Sequence, residues 1–131
     1  MLIKDVKVGN THVIKLEHGA DILDDLEREL ERAGIENGII VNGIGSVSSC
    51  HIHVVASDNL PPGNVYFKKT APFDVVIMQG FIFDGDVHAH VSFADAEDGS
   101  QFGGHLEAGC RVFPFCIITV TETDEVGKLD T

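Results

Sequence analysis

Two stretches of the chain are apolar in both strand phases. From Phe73 to Phe83, Phe73, Val75, Ile77 and Phe81 alternate with Val76, Met78 and Ile82, and Val112 to Thr121 is similar apart from Pro114. Such runs predict central strands buried from both sides, with Pro114 near a strand end or edge. One stretch has helical spacing instead: Ile22, Leu23, Leu26, Leu30 and Ala33 share a face, with Glu27, Arg28, Glu31 and Arg32 opposite. This predicts an amphipathic helix over Ile22 to Ala33, capped by Asp21 or Gly19 and stopped by Gly34. Asp24 and Asp25 suit its positive end.

Shorter patterns fill the rest. Leu2 to Val8 and Thr11 to Glu17 predict a hairpin around Gly9-Asn10, with His12 a packed or edge residue. Gly38 to Val47 reads as a strand running into glycines, Ser49 to Ala56 as a second strand, and Val65 to Thr70 as a short third. Gly43 and Gly45 lack the lysine of a phosphate loop and the third glycine of a dinucleotide fingerprint, so they predict a bend or bulge. Pro61-Pro62 marks a loop, and Asp84-Gly85-Asp86 a turn. Neither a repeat nor a linker divides the chain. The architecture expected is α+β: a compact mixed, mainly antiparallel sheet with one main amphipathic helix, over residues 1–122. Residues 123–131 read as an acidic, loose tail.

Composition narrows the partners. The 131 residues carry 21 acids against 9 bases, a net charge of −12, and Lys68-Lys69 is the only adjacent basic pair. Binding a phosphate backbone needs clustered cations, so direct DNA contact is disfavoured. Three cysteines with no Cys-x-x-Cys pair suit a reduced, cytoplasmic setting in which thiols act as small core residues. The start lacks the apolar stretch of a signal peptide, and no apolar run approaches the ~18 residues of a membrane span.

The candidate chemistry lies between Asp86 and Val112. In Asp-Val-His-Ala-His-Val-Ser-Phe, His88, His90 and Ser92 share one strand face, the two imidazoles about 7 Å apart along the strand. Ala94 to Phe102 reads as a loop. Gly103-Gly104 then lets the backbone turn tightly enough to return His105 to the pair. Three histidines with an open fourth position are a catalytic-type zinc set, although nickel, cobalt or iron would also suit imidazole. Asp86, Asp95 and Glu107 are the nearby carboxylates for proton transfer or for orienting imidazole N–H groups. Each has a plainer reading as a turn, loop or exposed strand acid. His51 and His53 have the same spacing as His88 and His90 and form the rival pair, for which solvent exposure or a subunit contact is the favoured reading.

Gly-Ser-Gln-Phe-Gly-Gly-His-Leu-Glu-Ala-Gly-Cys-Arg-Val, preceded by His-Ala-His-Val-Ser-Phe-Ala-Asp, resembles the signature of the PPC domain, the plant and prokaryote conserved domain. The resemblance extends upstream through His18-Gly-Ala-Asp and Val41-Asn-Gly-Ile-Gly-Ser, covering nearly the whole chain. It implies a homotrimer around a mixed sheet, and zinc held by histidines matching His88, His90 and His105. It also places Gly43 and Gly45 near the site. Plant members bind DNA through Arg-Gly-Arg-Pro hooks, which are missing here. The function expected is metal binding by a homotrimer, with a small-molecule ligand; the alternative is a DNA-binding or transcription-associated regulator.

Overall fold

Asp21 and Gly34 bracket the single helix, α1 (Ile22–Ala33). The Asp24 N–H donates to the Asp21 carboxylate at 3.1 Å, and Gly34 closes the helix at φ 74°. Glycine takes that left-handed conformation without a Cβ penalty. Ile22, Leu26 and Leu30 are fully buried, so the periodic face is the packed face. The computed structural model describes residues 1–131, and its other elements are six strands: β1 (Val8–Leu16), β2 (Gly38–Val55), β3 (Asn64–Phe83), β4 (Asp86–Asp95), β5 (Gln101–Leu106) and β6 (Val112–Thr123). The fold is α+β, with all registered strand pairings antiparallel.

Strand order is β1-β6-β2-β3-β4-β5, and β5 also pairs back onto β2. The strands β2, β3, β4 and β5 therefore form a closed ring. The length of β2 makes this possible. With β3 along one edge, its other edge serves β6 through Gly38 to Val47 and then β5 at Ile52 and His53. Register breaks between Val47 and Ser49 let it bend from one neighbour to the next. The two strands expected on either side of Ser48 are thus one, as are those expected at 65–70 and 73–83. Pro114 falls within the break in β6 between Val112 and Cys116, where no ladder bond is demanded of it.

The expected N-terminal hairpin does not form. Its second arm is β1, but the partner of β1 is β6. Residues 1–7 instead run beside the C-terminal segment: the Lys7 N–H donates to the Asp124 carboxylate at 3.0 Å, and Lys4 Nζ to the Val126 carbonyl at 2.6 Å. A ready-made partner of 12 residues outcompetes a short hairpin around Gly9-Asn10.

The core is one cluster in which Leu26 and Leu30 meet the inward faces of the strands, including Met78, Ile82, Ile118 and Val120. Cys50, Cys110 and Cys116 are free thiols buried within it. Burial pushes Cys110 up to about 12 and Cys116 up to about 11. The central strand β3 is not buried on both sides: Val76, Ile77 and Phe81 remain exposed, alongside Val41 and Ile44 of β2 and Phe113 of β6. One helix covers one side of the sheet, which leaves this apolar side uncovered within a single chain.

Candidate metal centre

Strand β4 buries Val87, Ala89, Val91 and Phe93 in the core and turns His88, His90 and Ser92 outward, the division that alternation predicts. Register then builds the site across strands. His90 pairs with His105 of β5, and His105 pairs with His53 of β2. Paired residues on neighbouring strands point to the same side. A row of three imidazoles thus crosses β4, β5 and β2, and it continues to Tyr66 of β3, the partner of His53. His88 stands beside the row, two residues from His90.

The ring centroids give the spacing: His88 to His105 4.6 Å, His88 to His90 5.8 Å, His90 to His105 5.8 Å, and His53 to His105 4.3 Å with the two rings stacked. Glu107, two residues past His105, joins from the same strand direction. Its Oε1 accepts from His53 Nδ1 and lies 3.7 Å from His105 Nδ1. His105 Nδ1 is buried and has no hydrogen-bond partner. Partial desolvation, reinforced by neighbouring imidazoles, lowers both His90 and His105 below the ordinary histidine value, with Glu107 opposing the shift at His105. Neutral imidazoles are the ligand form, and an orphaned buried nitrogen is a donor awaiting a partner, so the cluster fits a metal. The orphaned nitrogen itself faces Glu107, and the donor atoms that converge within 4.8 Å of one another are those of His53, His105 and Glu107.

The two glycines before His105 act differently from expectation. Neither has positive φ, and both lie inside β5 rather than in a turn. A Cβ on Gly104 would stand 2.6 Å from the His53 carbonyl oxygen, and one on Gly103 would collide with the Val91 carbonyl. Glycine is needed for close approach: β5 fits between β4 and β2 only without side chains at these positions.

The remaining candidates are scattered. Asp86 faces Lys128 at 2.8 Å at the start of β4. Asp95 lies at the far end, opposite Phe73 and 3.5 Å from Lys69, away from the histidines. Gly43 packs against Met78 and Ile118, and Gly45 against Phe115 and Cys116, so neither reaches the cluster. His51 Nδ1 meets the Ala108 carbonyl at 2.7 Å. His53, weighed only as half of a rival pair, joins His105 instead. Alternation along 49–55 sets the face of His53, but the β2–β5 pairing that brings it to His105 joins segments distant in sequence. Asp130, beyond β6, bonds His88 Nδ1 at 3.0 Å, which lowers its carboxyl below the usual range.

The model of the Plants and Prokaryotes Conserved (PCC) domain matches residues 3–124. The chain belongs to the PCC domain family. Among solved structures, this PCC chain is similar to a plant- and prokaryote-conserved protein of Pyrococcus horikoshii, with TM-score 0.81 and 27% identity over 97% of this chain and 87% of that one. A metal-containing protein of Archaeoglobus fulgidus gives TM-score 0.81 and 27% identity over 95% and 87%. A candidate DNA-binding protein of Ralstonia eutropha gives 0.72 and 25% over 86% and 78%. The PCC chain also matches the bifunctional protein GlmU of a Synechococcus strain, 25% identical over 114 residues, which is 86% of this chain. It spans only 17% of the length of that curated relative. No helix of the PCC chain is long and apolar enough to cross a membrane.

Proposed function

We propose that this is a metal-binding PCC-domain protein that acts as a homotrimer, with His88, His90 and His105 holding one divalent ion, zinc before other transition metals. The carrying observation is the triangle of imidazoles, with centroids 4.6 to 5.8 Å apart. Three imidazoles bound to one tetrahedral zinc place their ring centres about 5 Å apart. The metal-containing relative from Archaeoglobus fulgidus supports the same reading. When bound, the ion supplies Lewis-acid chemistry. The chain's own contribution is to hold the three rings from two paired strands, with Gly103 and Gly104 keeping those strands close.

An open cleft of about 620 Å³ beside His88 and His90, lined by Ile39, Val41, Gln79 and Phe81, suits a small ligand with both apolar and polar parts. The uncovered apolar face borders this cleft, and packing that face between subunits would bury it and narrow the opening. Buried thiols suit a reduced, cytoplasmic compartment. Protein purified without a tag should carry an ion at this site, and His88→Ala should lower the metal content by about one ion per chain. Light scattering should return three times the 14.1 kDa chain mass. Metal-free protein, or a stable monomer at low micromolar concentration, refutes the corresponding half of this proposal.

DNA-linked regulation is the second reading, favoured by the Ralstonia relative. The net charge of −12 argues against direct phosphate contact, which ranks this reading second.

A further inference from the structure

The three-histidine set leaves His53 and Glu107 without a role, although both sit against His105. A nitrogen of His53, a nitrogen of His105 and a carboxylate oxygen of Glu107 lie within 4.8 Å of one another. Ligand atoms around a tetrahedral ion with bonds near 2.0–2.1 Å stand about 3.3 Å apart, so modest side-chain movement closes the set. All three groups are partly buried, and their strands are fixed by register on both sides of β5. Glu107 Oε1 already faces the Nδ1 atoms of both histidines.

His105 Nδ1 is the second observation. It is buried, has no hydrogen-bond partner, and stands 3.7 Å from that carboxylate oxygen. An imidazole has two nitrogens. With Nδ1 committed to the Glu107 side, Nε2 is the donor left for the His88 and His90 side. A neutral ring has a single nitrogen lone pair, so ions on both sides at once require His105 to release its N–H proton to solvent and bridge them as imidazolate. Glu107 pairs with these two histidines and with no lysine or arginine, so no other cation fills the place between the carboxylate and the rings.

We propose that His53, His105 and Glu107 form a second, two-nitrogen, one-oxygen site for a divalent transition-metal ion, sharing His105 with the three-histidine set. This rests on the metal-binding reading above and extends it. Mixed nitrogen and oxygen donors accept zinc, cobalt, iron or manganese, whereas calcium and magnesium prefer all-oxygen sets. The second site widens the range of ions that the protein holds.

The test separates the two sites. Chelator-treated full-length chain would be titrated with cobalt(II) and zinc(II), following cobalt absorption and heat. The double variant His88→Ala/His90→Ala lacks the first site. It should still bind one cobalt per chain, and adding His53→Ala or Glu107→Gln should weaken that binding at least about tenfold. A folded double variant that binds no cobalt, while the parent protein binds it, overturns this proposal and leaves the three-histidine reading intact. A double variant that copurifies with the full metal content and loses it on adding His53→Ala supports this proposal and defeats the other. Nitrogen NMR on the unmutated protein covers the case in which the double variant fails to fold. Zinc should shift Nδ1 of His53 and His105; a response confined to His88, His90 and one nitrogen of His105 overturns the second site.

Discussion

Replacing Gly104 with alanine is the sharpest probe of how β5 is seated. The added methyl would lie 2.6 Å from the His53 carbonyl oxygen and 2.9 Å from Val54 Cγ1. The first contact is about 0.8 Å short of ordinary van der Waals distance, and a backbone oxygen in a strand cannot swing aside. β5 must therefore move away from β2. Overpacking of this kind costs about 1–3 kcal/mol, offset by about 0.4–1 kcal/mol because alanine has less freedom than glycine in the unfolded chain. A net loss of about 1–2 kcal/mol corresponds to a fall in Tm of about 4–8 °C for a domain of this size. Thermal unfolding in the presence of a chelator measures it, with Gly9→Ala as the control, since that methyl would meet Glu122 at an ordinary 3.5 Å. Metal affinity should fall with Tm, because His105 moves with the strand. A Gly104→Ala protein as stable as the control, with unchanged metal binding, would refute the close-approach argument.

Asp21→Ala should cost about 1–3 kcal/mol in urea unfolding, since the carboxylate caps Asp24 and accepts the Gly109 N–H at 2.6 Å; an unchanged midpoint would contradict this. None of the three cysteines should react with a thiol reagent at pH 8 in the native protein, and all three should react after denaturation. Because Cys110 and Cys116 titrate above the ordinary 9.0, folding favours their protonated forms. Their contribution is complete below pH 9 and is lost as pH rises towards 11 and 12, so stability should decline across that window; a flat profile there argues against thiol burial. Labelled duplex DNA should bind weakly at physiological salt; sub-micromolar, salt-sensitive binding would reverse the ranking of the two functions.

Local pattern carried some of this structure and missed the rest for one physical reason. The helix from Ile22 to Ala33 and the outward face of His88, His90 and Ser92 depend on periodicity within one segment, and both were legible. Partnership between strands is not local. Nothing in Ser49 to Val55 says that β5 will lie along its edge, so His53 could be given a face but not a neighbour. The N-terminal hairpin failed in the same way, because a turn signal cannot weigh β6 as a competing partner. In sequence Gly103-Gly104 reads as a tight turn, whereas both glycines lie inside β5. The crowding that makes glycine necessary comes from backbones 12 and 51 residues away, at Val91 and His53.

The seam that closes the ring is short. Between β2 and β5 only Ile52–Leu106 and His53–His105 are registered, with one further backbone bond from Glu107 N–H to the His51 carbonyl at 3.0 Å. A seam this narrow opens at lower free energy than the long β2–β3 ladder, so its amides should exchange with solvent first. An ion held by His53, His105 and Glu107 would span the seam like a clasp. Bound metal would then slow local opening at Ile52, His53 and Leu106 while leaving exchange in the β1–β6 ladder unaltered, and it would lengthen the life of the folded chain more than it hastens folding.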